Sequence, residues 1–339
     1  MKALDDILDR ARVIRPRIVL PEGEDPRILA GAAWAAADGL ARPVLLGDPG
    51  RIAAALAEAG SPEGAVEAMD PAAAPSAEAY AAEFERLRRH KGIDAAAARR
   101  AMADPMLFAA MMVRLGDADG TVGGAVATTA DTVRAALQVI GRAAGVSTVS
   151  SFFLMMLCEP HHSTQGALVF ADCGLVVQPD VDELAAIAIA SGESYRALTG
   201  EEPRIAMLSF STSGSARHPR VEHVRAATGK VRELRPDLMI HGDLQFDAAF
   251  VPAVSAMKAK DSPLEGRANV LIFPDLEAAN IGYKIAERIG GARAIGPVLQ
   301  GLARPANDLS RGCSAEDVYH MIAVTAVQAA VAKLPTKAT

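Results

Sequence analysis

Short apolar runs alternate with alanine-rich amphipathic runs along almost the whole chain. The run 17–20, Arg-Ile-Val-Leu, precedes a helical pattern over residues 26–40. The same order recurs later, where the apolar runs 204–210, 238–241 and 270–273 precede helical patterns over 218–233, 246–257 and 276–289, respectively. The region 53–82 has weak strand signals and is interpreted as peripheral helices and loops. Strands that alternate with helices in this way are typical of α/β proteins with parallel sheets. The sequence therefore predicts an α/β fold with mainly parallel sheets.

Length and charge narrow the classes of function. A chain of 339 residues exceeds the usual size of a single hydrophobic core, so we expect two domains. The net charge of -6 gives no reason to expect nucleic acid or an anionic membrane as a partner. We expect small-molecule partners instead, and any anionic substrate would have to be bound by local arginine residues.

The sequence shows no sign of export or membrane insertion. Residues 1–10 are amphipathic and acidic and contain no apolar core of a signal peptide. No uncharged apolar run approaches the roughly 18 residues that a membrane helix needs. The three cysteines, Cys158, Cys173 and Cys313, are unevenly spaced and imply no disulfide framework. These features predict a cytoplasmic protein.

A polar, glycine-containing segment over 307–313 lies just before the last helical pattern, which spans 315–333. Exposed backbone amides at such a junction suit an anion, and Arg311 can hold a phosphate group in a bidentate fork. Ser314-x-x-Asp317 also fits a capping box, in which case the segment would only start the helix. Both interpretations can hold for Asp317 at once.

A second polar segment, 210–219, reads Phe-Ser-Thr-Ser-Gly-Ser-Ala-Arg-His-Pro and connects a predicted strand to a predicted helix. Its small hydroxyl and glycine residues are expected to expose backbone amides, which suits a phosphate or acyl oxygen. The alternative is an ordinary turn in which a serine caps the following helix. It is not a Walker A loop, because no Gly-Lys-[Ser/Thr] closes it.

Two arginine-containing segments are further candidates for binding anions. Thr128 or Thr129 is a natural N-cap for a helix that carries Arg134 in its first turns. The run 87–92, Leu-Arg-Arg-His-Lys-Gly, is basic and lies at a predicted helix end, where cations are favoured. Arginines on helices are also commonly solvated residues without a specific role.

Other chemistry has weaker support in the sequence. Cys158, His161 and His162 suggest a metal site, but no fourth ligand stands at a useful spacing, so we predict no metal. The run 158–165 is interpreted as a surface connection. Cys173 and Cys313 are interpreted as buried small residues, because no nearby base identifies a cysteine nucleophile.

The segments described above resemble the phosphate acetyltransferases, together with the strand-like run 269–275, Asn-Val-Leu-Ile-Phe-Pro-Asp. The resemblance reaches from residue 18 to about residue 332 and is closest over 127–134, 209–218 and 242–248 and from 269 to 317. It implies reversible transfer of an acetyl group between acetyl-CoA and inorganic phosphate, which gives acetyl phosphate and coenzyme A in acetate metabolism.

The resemblance also implies an architecture. Family members have two α/β domains with a cleft between them, related to isocitrate and isopropylmalate dehydrogenases, and are usually homodimers. The implied first domain is discontinuous and comprises residues 1–147 plus 299–339, and the second comprises residues 148–298.

The resemblance assigns the site residue by residue. It implies direct transfer in a ternary complex without a metal or organic cofactor. A thiol needs a base that takes its proton, and we predict Asp317 for this role, with His218 as the alternative. Ser213 stands where family members often have a lysine, and Asp243 where a glutamate is commoner. The implied catalytic residues are Ser310, Arg311 and Asp317, and the implied substrate-binding residues are Arg88, Arg134, Ser211, Thr212, Gly214, Ser215 and Arg288.

Two alternative functions stay open at this point. One is a different acyl specificity on the same scaffold, such as phosphate butyryltransferase. The other is a non-catalytic acetyl-CoA-sensing domain, like the module appended to some malic enzymes. The presence of Ser310, Arg311 and Asp317 together, without a malic-enzyme portion, favours the enzyme.

Overall fold

The computed structural model describes residues 2–332, and the contacts among them divide the chain into two compact units. The terminal unit comprises residues 5–144 together with the described residues from 302 onward. The central unit comprises residues 145–301 with residues 2–4. The predicted domain boundaries near residues 147 and 299 stay a prediction.

Strands and helices alternate through most of the described residues, as the sequence predicts. The strands are β1 (Arg17–Leu20), β2 (Arg42–Leu46), β3 (Glu67–Met69), β4 (Gly120–Gly123), β5 (Ser150–Leu157), β6 (Gly166–Ala171), β7 (Arg204–Leu208), β8 (Met239–Leu244), β9 (Val270–Ile272), β10 (Arg293–Gln300) and β11 (Ala306–Asp308). The helices are α1 (Lys2–Ile14), α2 (Pro26–Ala37), α3 (Pro49–Glu58), α4 (Ala77–Arg88), α5 (Ala95–Ala101), α6 (Pro105–Leu115), α7 (Thr129–Val139), α8 (Val181–Thr199), α9 (Pro219–Leu234), α10 (Phe246–Phe250), α11 (Pro252–Lys258), α12 (Leu276–Arg288) and α13 (Ala315–Ala332), and a 3₁₀ turn covers Arg89–Lys91. No helix among these residues is long and apolar enough to cross a membrane.

The terminal unit is built on a parallel sheet with the strand order β11-β4-β1-β2-β3. In its central strand, Ile18, Val19 and Leu20 are completely buried, as expected for a parallel sheet covered on both faces. The edge strand β3 was missed in the sequence, where residues 53–82 were interpreted as helices and loops. Its three residues leave no fully buried position, so the strand signal is too weak to recognise.

Small residues let the last helix of the terminal unit approach its neighbours closely. A methyl group added at Gly31 of α2 would lie 2.6 Å from the Cβ atom of Val318 on α13. A methyl group at Gly120 of β4 would lie 2.6 Å from a side-chain carbon of Thr325. Helix α13 buries most of its residues, which confirms the predicted apolar helix near the end of the chain.

The central unit contains a mixed sheet with the strand order β10-β5-β6-β9-β7-β8. The pairings from β6 through β9 and β7 to β8 are parallel, whereas β10, β5 and β6 pair antiparallel. Together with the terminal sheet, this confirms an α/β fold with mainly parallel sheets. The connection 158–165 between β5 and β6 is exposed or half-buried, as predicted.

One predicted helix of the central unit is divided in two. The sequence pattern indicated a single helix over 246–257, but α10 ends at Phe250 and α11 starts at Pro252. Proline lacks the backbone N–H that a continuous helix needs, and it disfavours helical geometry at the residue before it. Val251 accordingly has the extended angles φ -113° and ψ 112°.

Candidate active site

The loop that follows β4 is held by one carboxylate group. Glu22, located directly after β1, accepts hydrogen bonds from the backbone N–H groups of the four residues 124–127, at 2.7–2.9 Å. Because β1 and β4 are parallel neighbours, their carboxyl ends meet at the same edge of the sheet. Hydrogen bonds to an ionised group are stronger than neutral ones, so Glu22 fixes the path of the chain towards α7.

Helix α7 begins at the end of this loop, as the sequence predicts. The hydroxyl of Thr128 accepts the backbone N–H of Asp131, which confirms Thr128 as the N-cap. Hydrogen bonds from Thr128 and then from Arg134 lower the pKa of Asp131. The guanidinium of Arg134 lies 2.6 Å from that carboxylate, and both side chains are exposed. Such a pair contributes little to stability, so Arg134 is free to exchange Asp131 for a phosphate group.

Arg27 connects three segments of the terminal unit. Its guanidinium donates to the carbonyl oxygen of Arg311 at 2.7 Å, to the carbonyl oxygen of Ala125 at 2.8 Å and to the carboxylate of Asp25 at 2.9 Å. The hydrogen bond from Arg27 is the largest cause of the lowered pKa of Asp25. Arg27 therefore holds the backbone of residue 311 beside the loop 124–127.

Neither Glu22 nor Arg27 was identified in the sequence as a site residue. A signal was present, because Glu22 follows the buried strand β1 and Arg27 lies at the start of the next helix, and parallel sheets place functional groups after their strands. Their partners lie about a hundred and almost three hundred residues further along the chain, respectively. No sequence periodicity reports such pairings.

Ser310 and Arg311 are exposed on a short turn after β11. The carbonyl oxygen of Ser310 accepts the N–H of Cys313 at 2.9 Å, and its hydroxyl accepts the N–H of Gly312 at 3.3 Å. Within residues 2–332, the guanidinium of Arg311 makes no hydrogen bond or ion pair. An arginine carries five N–H donors that fit carboxylate and phosphate groups. Arg311 is therefore available to an anionic ligand.

Asp317 forms the capping box that was the alternative interpretation of its sequence. Its Oδ2 atom accepts the backbone N–H of Ser314 at 2.8 Å and the Ser314 hydroxyl at 2.9 Å. The Ser314 hydroxyl in turn accepts the N–H of Asp317 at 3.2 Å. Both bonds to the carboxylate involve Oδ2, so Oδ1 has no partner among the described residues and can still accept a proton.

A second carboxyl group of this region, Asp308 of β11, is completely buried. No donor among the described residues forms a hydrogen bond with either of its oxygens. Burial raises the pKa of Asp308 to about 6, and the negative charge of Glu22 contributes to this shift. The nearby hydroxyls of Thr129 and Thr132 lower the pKa, although they do not reach hydrogen-bond geometry. Gly124, at φ 101°, passes so close that an added Cβ would lie 2.1 Å from Oδ1.

The polar loop of the central unit is a tight turn over residues 212–215. The carbonyl oxygen of Thr212 accepts the N–H of Ser215 at 3.0 Å. The two residues between them, Ser213 and Gly214, have positive φ angles of 49° and 79°. Positive φ at both central positions is the signature of a type I′ turn, which explains the glycine at 214.

For residues 211–216, the expectation that this loop exposes its amides is wrong. Each backbone N–H group of residues 211–216 donates a hydrogen bond within the central unit. The acceptors are the hydroxyls of Ser209, Ser215 and Ser211, the carbonyl oxygens of Asp243 and Thr212, and the carboxylate of Asp243. Serine and threonine side chains commonly satisfy neighbouring backbone groups in this way.

The predicted serine cap of the next helix is also wrong. Helix α9 is capped by His218, whose Nδ1 atom accepts the N–H of Arg220 at 3.2 Å. Ser211 and Thr212 are buried, whereas Gly214 and Ser215 are exposed. Of the predicted binding residues in this loop, only the last two present a surface to a ligand.

The remaining predicted arginines lie at helix ends. Arg88, the last residue of α4, is half-buried and forms no hydrogen bond within residues 2–332. Arg288, the last residue of α12, is exposed and lies 3.3 Å from the carboxylate of Glu287. The terminal unit thus contains Arg88, Arg134, Ser310, Arg311 and Asp317, and the central unit contains Arg288 and the loop with Ser211, Thr212, Gly214 and Ser215.

Comparisons with known proteins agree with this fold and identify relatives of the chain. The sequence profile of the family described as "Phosphate acetyl/butaryl transferase" matches residues 2–326. A phosphate acetyltransferase from Paracoccus denitrificans is 53% identical over 328 residues, which cover 97% of this chain and 99% of the relative. A solved phosphotransacetylase from Streptococcus pyogenes superposes with a TM-score of 0.91 at 42% identity, covering 97% of this chain and 98% of that structure.

A more distant structure bears on the fold alone. A Salmonella typhimurium protein assigned as a 4-hydroxythreonine-4-phosphate dehydrogenase superposes with a TM-score of 0.56 at 13% identity, covering 92% of this chain and 99% of that structure. This agrees with the predicted dehydrogenase-like architecture.

The fold and the relatives define an acyltransferase enzyme. The chain belongs to the phosphate acetyl/butaryl transferase family, since the family profile matches nearly its full length.

Proposed function

We propose that this enzyme is a phosphate acetyltransferase, which reversibly converts acetyl-CoA and inorganic phosphate into acetyl phosphate and coenzyme A. The observation that carries the proposal is the exposed guanidinium of Arg311, which is unpaired within residues 2–332 while Arg27 holds its backbone at 2.7 Å. A positioned cation whose N–H groups have no partner can stabilise the negative charge in a reaction between two phosphate-bearing substrates.

The proposed chemistry is direct transfer in a ternary complex, without a metal or organic cofactor. The coenzyme A sulfur attacks the carbonyl carbon of acetyl phosphate, the C–S bond forms, and the bond from that carbon to the phosphate oxygen breaks. Inorganic phosphate leaves, and Asp317 takes the thiol proton. Arg311 stabilises the negative charge on the phosphate and on the developing oxyanion, and Ser310 donates a hydrogen bond to the same group.

The geometry of Asp317 is compatible with a base that also caps its helix. Its Oδ2 atom is engaged by Ser314, while Oδ1 is left for the proton. A thiol is a poor nucleophile until it loses its proton, with an unperturbed pKa near 8.5. A positioned base is therefore required, and Asp317 lies in the first turn of α13, close in sequence to Ser310.

Arg88, Arg134 and Arg288 are proposed to hold the phosphate groups of coenzyme A. Each lies at or near a helix end, and none is engaged in a buried ion pair. We further propose that the enzyme is a cytoplasmic homodimer that acts in acetate metabolism. This part of the proposal is supported by the similarity to the family.

The test is a direct assay of acetyl phosphate with coenzyme A, in which formation of the thioester is followed. We expect thioester formation at a higher kcat/KM with acetyl phosphate than with butyryl phosphate. A preference for butyryl phosphate would instead identify the butyryl-transferring branch of the family. No activity with any short acyl phosphate would refute the proposal in favour of a sensing domain, and a kinetically competent acetyl-enzyme would refute direct transfer.

A further inference from the structure

A basic pocket lies at the start of α9 in the central unit. Its volume is about 560 Å³, and three of its side chains carry or can carry positive charge. The lining residues are Ser213, Gly214, Arg217, His218, Pro219, Glu222 and Arg225. Arg217 and Arg225 do not belong to the set of binding residues that the sequence predicted.

Most backbone N–H groups around this pocket already donate hydrogen bonds. The amides of 211–216 donate within the loop, as described above. The first amides of α9 are also used, since His218 accepts the N–H groups of residues 220, 221 and 222 through its ring and its carbonyl oxygen. Pro219 has no N–H group. An anion in the pocket would therefore be bound largely by side chains.

The guanidinium of Arg225 lies over the turn 212–215, and its N–H groups donate no hydrogen bond within the described residues. Its Nη1 atom lies 3.6 Å from the position of a Cβ added at Gly214. Arg225 forms long ion pairs with the carboxylates of Asp243 and Glu222, at 3.8 Å and 3.7 Å, and both distances are too long for hydrogen bonds. Asp243 is almost completely buried and accepts the N–H of Gly214. The buried carboxylate of Asp243 therefore orients the guanidinium of Arg225, whose N–H groups remain available to a ligand.

Arg217 supplies a second guanidinium. It is exposed, and it forms no hydrogen bond or ion pair in the part of the chain that the structure describes. Arg220, three residues along the chain, provides a contrast because it donates to Asp275 at 3.1 Å and lines a different pocket. Two arginines that line one pocket and whose guanidinium groups donate no hydrogen bond within the described residues can bind a phosphate group in a bidentate manner.

We propose that Arg217 and Arg225 form a binding site for a phosphate group of a substrate. This inference rests on the proposed function, in which both substrates of the thioester-consuming direction carry phosphate. The phosphate group belongs either to inorganic phosphate or to coenzyme A, and the chemistry of recognition is the same for both. The position of Arg225 is better defined than that of Arg217, because Arg225 forms an ion pair with the buried carboxylate of Asp243.

The experiment measures kcat and KM for acetyl-CoA and for inorganic phosphate in Arg217→Gln, Arg225→Gln and the double variant. Loss of one charge-assisted contact is expected to raise KM for one substrate by about tenfold. Turnover should change by less than about twofold, because binding is lost equally before and during reaction. Arg220→Gln is the matched control, since it removes an arginine of the same helix start and should leave both constants unchanged.

The substrate whose KM rises identifies the source of the phosphate group. If it is acetyl-CoA, a comparison with acetyl-dephospho-coenzyme A assigns the contact to the 3′-phosphate when the penalty disappears, and to the diphosphate when it persists. Wild-type KM values for both substrates in the double variant would overturn the proposal. An inactive wild-type enzyme would instead refute the proposed function, so the two failures are distinguishable.

Discussion

The buried carboxyl group of Asp308 makes stability depend on pH in a specific way, which replacement by asparagine should abolish. Asparagine keeps the shape of the side chain but cannot ionise. Burial raises the pKa of Asp308 from 3.8 to about 6 in the folded protein. The unfolded chain loses this proton near pH 3.8 and the folded protein only near pH 6, so the folded state binds more protons between these values.

The sign and the size of the effect follow from this difference. Stability contributed by the protonated group is fully present below about pH 3.8, is lost as pH rises to about 6, and stays constant above that. A shift of roughly two pKa units corresponds to about 3 kcal/mol in total. Between pH 4.5 and pH 7.5 the loss is about 2 kcal/mol, because part of it already occurs below pH 4.5.

The assay is urea unfolding of the wild type and Asp308→Asn at about pH 4.5 and pH 7.5. Trp34, the single tryptophan, lies on α2 of the terminal unit and reports on the unit that contains Asp308. We expect the free energy of unfolding of the variant, relative to wild type, to rise by about 2 kcal/mol between the two pH values. Asp6→Asn is the control, since Asp6 is exposed on α1. Parallel pH curves for wild type and Asp308→Asn would refute the reasoning.

Three further predictions concern the proposed reaction. Asp317→Asn retains the capping of α13 but not the base, so kcat should fall roughly 10²–10⁴-fold with unchanged KM for coenzyme A, and a folded variant with wild-type turnover would exclude Asp317 as the base. Arg88→Gln and Arg134→Gln should each raise KM for coenzyme A with little change in kcat, and two variants with normal KM values would show that these arginines are merely solvated. Arg27→Gln releases the backbone of residue 311 and should lower kcat by about tenfold or more, because Arg27 positions this residue through its hydrogen bonds within the protein. A wild-type kcat would show that the turn keeps its position without Arg27.

The sequence predicts most of the fold because the alternation of apolar and amphipathic runs reports local structure. The failures are local too. Strand β3 is a three-residue edge strand that lacks a buried position. The helix break at Val251 is caused by Pro252, which disfavours helical geometry at the residue before it.

The candidate site was predicted less completely, since its geometry depends on distant pairings. The assignment of Ser310, Arg311 and Asp317 to the site comes from resemblance and stays a prediction, whereas the spacing of Ser314 and Asp317 predicts the capping box that the structure contains. The hydrogen bond from Arg27 to the carbonyl oxygen of Arg311 joins two segments that are far apart in the sequence, so no local pattern predicts it. Composition also could not show whether the amides of 211–216 point outward or into the loop, and the serine hydroxyls decide this by accepting from them.

The most direct test of the proposed reaction is the turnover of Arg311→Gln in the assay of acetyl phosphate with coenzyme A. Arg42→Gln is the matched control. Arg42 is exposed and is the first residue of β2, so it lies at the amino ends of the strands of this sheet, whereas Arg311 follows the carboxyl end of β11. We expect kcat of Arg311→Gln to fall by about 10²–10³-fold, the scale for one lost oxyanion donor, while Arg42→Gln keeps wild-type turnover and both variants unfold at the wild-type temperature. Near-wild-type turnover in a folded Arg311→Gln variant would contradict the proposed role of this residue.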